Sequence, residues 1–429
     1  MNDLEKGSPK LLNAWAFYDW ANSVYTLVIT SSIFPLFYAS LFTDNKILNI
    51  FGTSVSNTAL ITFVTAFAFL IVAIISPILS GIADYIGNKK KFMQFFCYLG
   101  SFSCVGLYFF DIEYIYTGLI FYFFGLIGYW GSLVFYNSYL PDVAFKGQQD
   151  VLSASGFSMG YVGSVILLVI CLALVIGKEG QEAANAMRTS FVLTGIWWMF
   201  FAQYTFYYLP KGNRSSKKIT KAIFFNGFKE LIKVKNQLFE NLILKNYLSA
   251  FFVFSMAVQT VMLVATYFGE KEVTWQSNSQ KTIGLIISIL LIQIVAILGA
   301  FLTSKASNKF GNIPTLIVLN FIWLVLCICA YFVNLPIHFY ITASCVGLVM
   351  GGIQALSRST YSKYLPETDD TASFFSFYDV SEKIGIVIGM SIYGIIDQVT
   401  GSMRSAIVFL GLFFLIGLVL LFRVRKVEA

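Results

Sequence analysis

Long apolar stretches recur along this chain of 429 residues, and each is about the 20 residues that a helix needs to cross a bilayer. They fall near 12–42, 57–80, 92–110, 114–138, 151–176, 189–209, 246–268, 282–303, 314–334, 337–357, 372–396 and 405–423. Composition bears on whether these are core helices or membrane spans. Charged residues make up 12% of the chain, against about 25% in a soluble domain, which is too little to cover a water-facing surface of this size. The expected class is an all-α polytopic membrane protein with about twelve transmembrane helices.

Cations test both the count and the orientation, because lysine and arginine accumulate in cytoplasmic loops. With this set of spans, Lys46, Lys178, Arg188, Lys271, Lys281 and Arg404 fall on one side, Lys383 falls inside a span, and the remaining cations fall on the other side. Both termini are therefore expected in the cytoplasm, and the net charge of +7 reflects this asymmetry rather than affinity for nucleic acid. "MNDLEKGSPKLL" has no short apolar core with a small-residue cleavage site, so no signal peptide is expected. The expected location is a bacterial inner membrane. All six cysteines lie in apolar stretches and read as packing residues, and the single histidine, His338, excludes His-based triads and multi-His metal sites. No metal site or cofactor is expected.

The longest polar interval, from Lys211 to Lys245, holds nine cations and divides the spans six and six. The expected organisation is an N-terminal bundle over 1–210, a basic linker over 211–245 and a C-terminal bundle over 246–429. Within the linker, Phe224, Phe228, Leu231, Ile232, Leu238, Phe239 and Leu242 fall near one helical face. A basic amphipathic helix of this kind lies on an anionic leaflet or simply tethers the two bundles.

The two bundles are related. "YNSYLPD" at Tyr136–Asp142 recurs as "YSKYLPE" at Tyr361–Glu367, where the fourth and tenth spans leave the membrane on the same side. A second echo sets Asp84 and Gly87 of "SGIADYIGNKKK" against Asn308 and Gly311 of "SKASNKFGN". Parallel repeats of six helices about an axis along the membrane normal are a transporter architecture, because two similar bundles rock about a site held between them.

The stretch "PILSGIADYIGNKKK" resembles the signature loop between the second and third helices of the major facilitator superfamily. The resemblance implies a gating role for Asp84 and Gly87, which hold the cytoplasmic side closed with the trailing cations. Tyr85 and Asn88 stand where arginines are common, and Ser80 replaces the usual upstream glycine. "NAWAFYDWANSVYT" and "GGIQALSRSTYSKYLPE" resemble the vacuole-effluxer-like, or "unknown major facilitator", family. With the span pattern, the resemblance covers essentially the whole chain. It implies a cavity lined by spans one, four, seven and ten, and its fungal members are associated with amino-acid efflux.

Polar residues follow those spans at helical spacing. Asp19, Asn22, Ser23, Thr26 and Thr30 share one face of the first span, which is costly against lipid and so belongs inside the bundle. Ser255, Gln259, Met262 and Thr266 do the same in the seventh, and Ser344, Gly347, Gly351, Gln354, Arg358 and Tyr361 in the tenth. Packing through small residues accounts for the glycines but not for Asp19, Gln259, Gln354 and Arg358. Gly156, Gly160 and Gly163 in the fifth span, answered by Gly385, Gly389 and Gly394 in the eleventh, read as sliding surfaces. A bound solute would find hydrogen bonds at Asn22, Gln259 and Gln354, with Tyr18, Trp20 and Tyr25 as apolar walls.

"FYDVSEKIG" places Asp379, Glu382 and Lys383 together, with Lys383 roughly 16 Å deep in the eleventh span. Asp379 and Lys383 have the i, i+4 order that favours an ion pair. Glu382 points elsewhere on the helix and needs a partner or a proton. The cluster, with Asp19, reads either as ion coupling or as structural pairing. Asp19 and Arg358 sit at matching depth with opposite charge, which predicts a latch between the halves.

The expected function is secondary transport of a small polar solute by alternating access, coupled to a proton or another cation. The expected protein is a monomer whose partners are its solute and membrane lipid. A solute sensor without flux and a polytopic membrane enzyme are the alternatives, the latter disfavoured by the scarcity of acids and by a duplication that chemistry leaves unexplained. No phosphate-binding G-x-x-x-x-G-K-[ST] loop is present to couple ATP.

Overall fold

The computed structural model describes residues 4–42, 48–50, 53–55, 57–211 and 223–428. Lys46 and the linker residues 212–222 lie outside the described residues. The first span is α1 (Pro9–Val24), which starts on a proline suited by its fixed φ to the first helical turn. It continues through a π-helical stretch (Tyr25–Ser32) into α2 (Ile33–Ser40). The wider π turn breaks the regular helical spacing expected for Thr26 and Thr30, whose hydroxyls instead donate to Ser23 O (2.8 Å) and Thr26 O (2.6 Å). A short antiparallel pair, β1 (Leu48–Ile50) and β2 (Thr53–Val55), follows in a loop where no strand is expected from the sequence.

The remaining elements are helices: α3 (Asn57–Ile86), α4 (Lys89–Gly106), α5 (Ile115–Ser138), the short α6 (Leu140–Val143), α7 (Gln149–Val175) and α8 (Gly180–Tyr208). After the linker helix α9 (Ile223–Glu240) come α10 (Leu242–Glu272), α11 (Asn278–Phe310), α12 (Asn312–Ala330), α13 (Pro336–Tyr364), α14 (Thr371–Thr400) and α15 (Met403–Glu428). Among the described residues, 11 helical spans are long and apolar enough to cross a membrane. The expected span 189–209 is α8, whose apolar character comes from aromatics with polar tips such as Trp197, Trp198, Tyr204 and Tyr207. It packs against α1 and α4.

Two hydrophobic clusters divide the molecule. One runs from Leu11 to Leu209 and takes in Ala372, while the other runs from Val234 to Val424 and takes in Tyr161. The halves meet along two seams: α7 lies against α11 and α13, and α14 lies against α3 and α5. The fifth span of each half therefore crosses onto the second and fourth spans of the other, as a duplicated architecture requires.

Glycines set the closest approaches. A Cβ on Gly156 would lie 2.6 Å from Asp19 Oδ2, and one on Gly160 would lie 2.4 Å from Ser23 Oγ, so this face of α7 seats α1 of its own half. Gly385 and Gly389 seat Met256 and Thr260 of α10 in the same way, whereas a Cβ on Gly394 would meet no neighbouring helix within 4 Å among the described residues. The expected sliding surfaces are thus seams inside each half, where a side chain would block contact. The tightest packing joins α11 to α13, where a Cβ on Gly299 would lie 1.9 Å from Leu348 O.

The linker helix differs from the single apolar face expected. Val234 and Leu238 are buried in the second cluster, whereas Phe228, Ile232 and Phe239 are exposed on another side. The side chain of Phe224 lies outside the described residues.

Candidate functional site: buried charges between the halves

The site is assembled from α1, α5 and α7 on one side and α13 and α14 on the other, with the charged side chains supplied mainly by α1, α13 and α14. Asp19 and Arg358 are 4% and 3% exposed. The Arg358 Nη2 donates to Asp19 Oδ2 at 3.2 Å and Nη1 does so at 3.3 Å, and Tyr136 OH donates to the same oxygen at 2.9 Å. The rest of the guanidinium is used as well. Nε donates to Ser153 Oγ (3.0 Å), Nη2 to Ser153 O (3.1 Å) and Nη1 to Asn137 Oδ1 (3.2 Å). Its face stacks near Trp15, Tyr136 and Phe157, with centroids 4.8, 5.4 and 4.2 Å away. Only a planar fork with five donors fits such a pocket, so lysine is no substitute. Gly156 leaves the room for it: an added Cβ would lie 3.2 Å from Arg358 Nη2.

This latch is one rung of a ladder between the antiparallel helices α7 and α13. At the end of the bundle where the linker lies, Lys363 Nζ pairs with Asp150 Oδ2 (2.5 Å), and Asp150 also accepts from Ser307 Oγ and Asn312 Nδ2, both at 3.0 Å. One turn in, Ser153 Oγ donates to Ala355 O (2.7 Å) beside the Arg358 pocket. Deeper still, Tyr161 OH donates to Gln354 Oε1 (3.0 Å). From Asp150 to Tyr161 the ladder rises about 16 Å.

The second seam carries a matching clasp at the same end. Gly87, at φ 70°, ends α3 in the left-handed region, and its N–H reaches Asp84 O at 3.1 Å, so the chain turns sharply into α4. This leaves Asp84 in the last turn of α3, facing the start of α14. Its carboxylate accepts from Ala372 N (3.2 Å) and Ser373 N (2.7 Å), satisfying N–H groups that a helix N-terminus leaves free. Lys89 donates to Thr371 Oγ1 (2.6 Å) and Ser138 O (3.0 Å) and pairs with Asp142. Gly311, at φ 89°, makes the corresponding turn in the other half. The matched residue Asn308 is exposed, however, and its neighbours Ser307 and Asn312 reach Asp150 instead. Replacing Asp84 with alanine strips both N–H groups of their acceptor. We expect amide hydrogen exchange at 371–374 to quicken at least tenfold, measured by mass spectrometry in detergent.

The deep cluster on α14 is closed more tightly than its sequence implies. Lys383 Nζ pairs with Asp379 Oδ1 at 2.5 Å and with Glu382 Oε2 at 3.1 Å, and lies 3.7 Å from the Trp130 ring centroid on α5. Glu382 does not point away from the pair, as expected, because its second oxygen accepts from Gln259 Nε2 at 2.8 Å. Asp379 Oδ2 is buried without a hydrogen-bond partner among the described residues. The Glu382 side chain keeps 17% of its surface exposed, against 1% for Lys383 and 5% for Asp379, so it is the most accessible member of the cluster.

The other expected binding residues are distributed unevenly. Gln259 and Gln354 are partly exposed and bound to Glu382 and Tyr161. Asn22 and Tyr18 are fully buried, and among the described residues neither Asn22 Nδ2 nor the buried Tyr25 hydroxyl has a hydrogen-bond partner. Tyr18 packs on Tyr136 and Phe206, and Tyr25 on Tyr129 and Trp198, inside the first half. Sequence reasoning missed Asp150, Lys363, Asn312, Asn137 and Trp130. Two of these, Asn137 and Lys363, stand inside the repeated Tyr-x-x-Tyr-Leu-Pro motif, so the repeat itself was their signal. Among the described residues, no group of three His, Cys, Asp or Glu is placed to hold a metal ion.

Two six-helix bundles closed around buried charge define a membrane transporter of the major facilitator class. Solved structures share the fold: the human organic anion transporter MFSD10 (TM-score 0.74, 9% identity, 96% of this chain and 100% of that chain) and the proton:xylose symporter XylE (0.71, 12%, 96% and 95%). The fucose:proton symporter FucP of E. coli is similar as well (0.69, 15%, 97% of each). The model of the vacuole effluxer Atg22-like family matches residues 7–428, and the chain belongs to that family. An uncharacterized MFS-type transporter of Bacillus subtilis, YxiO, is 32% identical over 95% of this chain and 93% of its own length. Autophagy-related protein 22-1 of Aspergillus niger is 27% identical over 63% of this chain, a match that spans 46% of the fungal protein. The relatives are transporters, not enzymes.

Proposed function

We propose that the chain carries a small zwitterionic solute, of the amino-acid type, across a bacterial inner membrane by alternating access, coupled to a proton. The single observation that carries this reading is the Asp19–Arg358 pair sealed between the halves. Breaking a buried pair without replacement costs about 3–5 kcal/mol, so an opening motion favours a solute that brings both signs of charge. Its carboxylate suits Arg358, and its ammonium suits Asp19 or Glu382. The partly exposed groups Ser23, Thr26, Gln259, Gln354 and Glu382 offer hydrogen bonds beside the latch. In this reading the bundles over 1–210 and 246–429 rock about the site, with 211–245 as their tether.

The Asp84 and Asp150 clasps lie at the linker end, so the arrangement fits a state closed there. Lysine-rich loops at that end support a cytoplasmic position for it and for both termini. Asp84, Gly87 and Arg358 then act as the gate. Asp379, Glu382 and Lys383 form the coupling cluster, in which Glu382 is the carboxylate that exchanges a proton as Gln259 and Lys383 move away.

A thermal-shift screen of amino acids, short peptides and sugars identifies the solute. Uptake into vesicles under a proton gradient then compares the protein with its Glu382→Gln variant. We expect gradient-driven accumulation to fall at least tenfold while exchange of labelled for unlabelled solute persists. Undiminished accumulation would remove Glu382 from coupling, and binding without any flux would remove transport itself.

A further inference from the structure

The linker helix α9 has two apolar faces, and the described residues cover one of them. Val234 and Leu238, one turn apart, are buried where the helix crosses α3, α10 and α14. Phe225, Phe228, Ile232 and Phe239 recur at i, i+3, i+7 and i+14 and so form a second stripe, at 73%, 54%, 44% and 54% exposure. Lys229 and Lys235 are exposed on the two flanks of that stripe. An apolar row bordered by lysines matches a bilayer surface, where rings enter the acyl boundary and ammonium groups reach anionic headgroups. Its neighbours α3, α10 and α14 are membrane spans, so the leaflet is the apolar surface at hand.

The helix is also wired to the gate. Lys233 donates to Glu230 Oε1 (2.6 Å) and to Asp370 Oδ2 (2.7 Å). Asp370 is the N-cap residue of α14, yet its side chain caps no N–H of that helix. Lys233 engages that carboxylate, and Asp84 from the other half takes up the free N–H groups at Ala372 and Ser373. The two carboxylates hold the Lys233 ammonium above its ordinary range, Asp370 contributing most. A shift of α9 on the membrane thus reaches the turn that Asp84 grips through the Lys233–Asp370 pair, alongside the packing of α9 on α3 and α14.

We propose that α9 is a lipid-contacting strap: its Phe225, Phe228, Ile232 and Phe239 stripe, with Lys229 and Lys235, docks on anionic phospholipid, and the Lys233–Asp370 pair relays that docking to the gate end of α14. This assignment stands apart from the identity of the solute.

The test uses the full chain with Phe228→Cys carrying a bimane label, and with the exposed Cys329 and Cys345 changed to serine. The protein is reconstituted in vesicles of phosphatidylcholine alone or with phosphatidylglycerol, and quenching by iodide is compared with quenching by brominated lipid. In phosphatidylglycerol vesicles the label is expected to shift from iodide to lipid quenching, and the Lys229→Glu/Lys235→Glu pair is expected to erase the shift. A surface lysine strengthens such docking by roughly fivefold. Hydrogen exchange at 371–376 is expected to slow in the anionic vesicles, with no slowing in Lys233→Ala. Iodide quenching that is equal in both vesicles overturns the docking. Protection from both quenchers overturns it in favour of a protein partner or a second copy. A lipid shift without any change at 371–376 overturns the relay.

Discussion

Replacing Arg358 with leucine is expected to abolish solute flux and to lower the unfolding temperature in detergent sharply. The substitution leaves Asp19 buried with Tyr136 as its hydrogen-bond donor, and removing one partner from such a pair costs about 3–5 kcal/mol. It also frees Ser153 and Asn137 and empties a slot between Trp15, Tyr136 and Phe157. Adding Asp19→Asn removes the stranded charge, so the double variant is expected to regain part of its stability and none of its flux. That split separates a latch that works in transport from a pair that merely stabilises. Arg358→Lys keeps the charge but cannot reach Ser153, Asn137 and Asp19 together, and is expected to fall between the two. An unfolding temperature for Arg358→Leu equal to that of the parent protein would refute the latch.

The second large effect is expected far from any charge. Gly299→Val places a Cβ 1.9 Å from the Leu348 carbonyl oxygen, and along the same seam a Cβ added to Gly351 or Gly347 would lie 2.2 or 2.5 Å from the carbonyl oxygen of Ala296 or Ile292. Backbone cannot yield as the end of a side chain can, so α11 and α13 must part. Overpacking of this kind costs roughly 1–3 kcal/mol, and a backbone collision belongs at or beyond the top of that range. Because α13 carries Gln354 and Arg358, the displaced helix also misplaces the site. Loss of the monodisperse peak in size-exclusion chromatography is the expected readout. Gly394→Ala is the control, since its new Cβ would meet no other described helix within 4 Å, and it is expected to leave the peak unchanged.

Several features were legible because one residue, or its position along a helix, is enough to reveal them. Asp19 and Arg358 could be paired from depth and charge alone, since few ionisable groups occur inside spans and each needs a partner there. Asp379 and Lys383 could be paired because they are one helical turn apart on a single element. The partners of Glu382 were misjudged for a related reason. Helical spacing reports the direction of a residue from its own axis, and it carries no information about Gln259 arriving from α10. Asp150 was missed outright. It lies at the start of a helix, where an acid has an ordinary role with the helix dipole, and Lys363, Ser307 and Asn312 converge on it only when the halves meet.

The glycines show the same boundary. The spacing of Gly156, Gly160 and Gly163 in α7 and of Gly385 and Gly389 in α14 correctly implied close helix approach, Gly394 being the exception, but spacing is silent on which helix approaches. The π-helical turn in the first span is likewise invisible to a pattern that assumes 3.6 residues per turn.

By itself, the sequence determined the solvent, the spans, the duplication and which charges lie within the spans. All of these follow from the cost of placing polar groups in hydrocarbon, a cost that each segment meets on its own. Only the tertiary structure decided which groups touch across the two seams: Arg358 with Asn137 and Ser153, Asp84 with the start of α14, Lys383 with Trp130, and α9 with both halves. Those contacts depend on how helices far apart in the chain are rotated and set against one another, and close packing of whole bundles fixes that rotation.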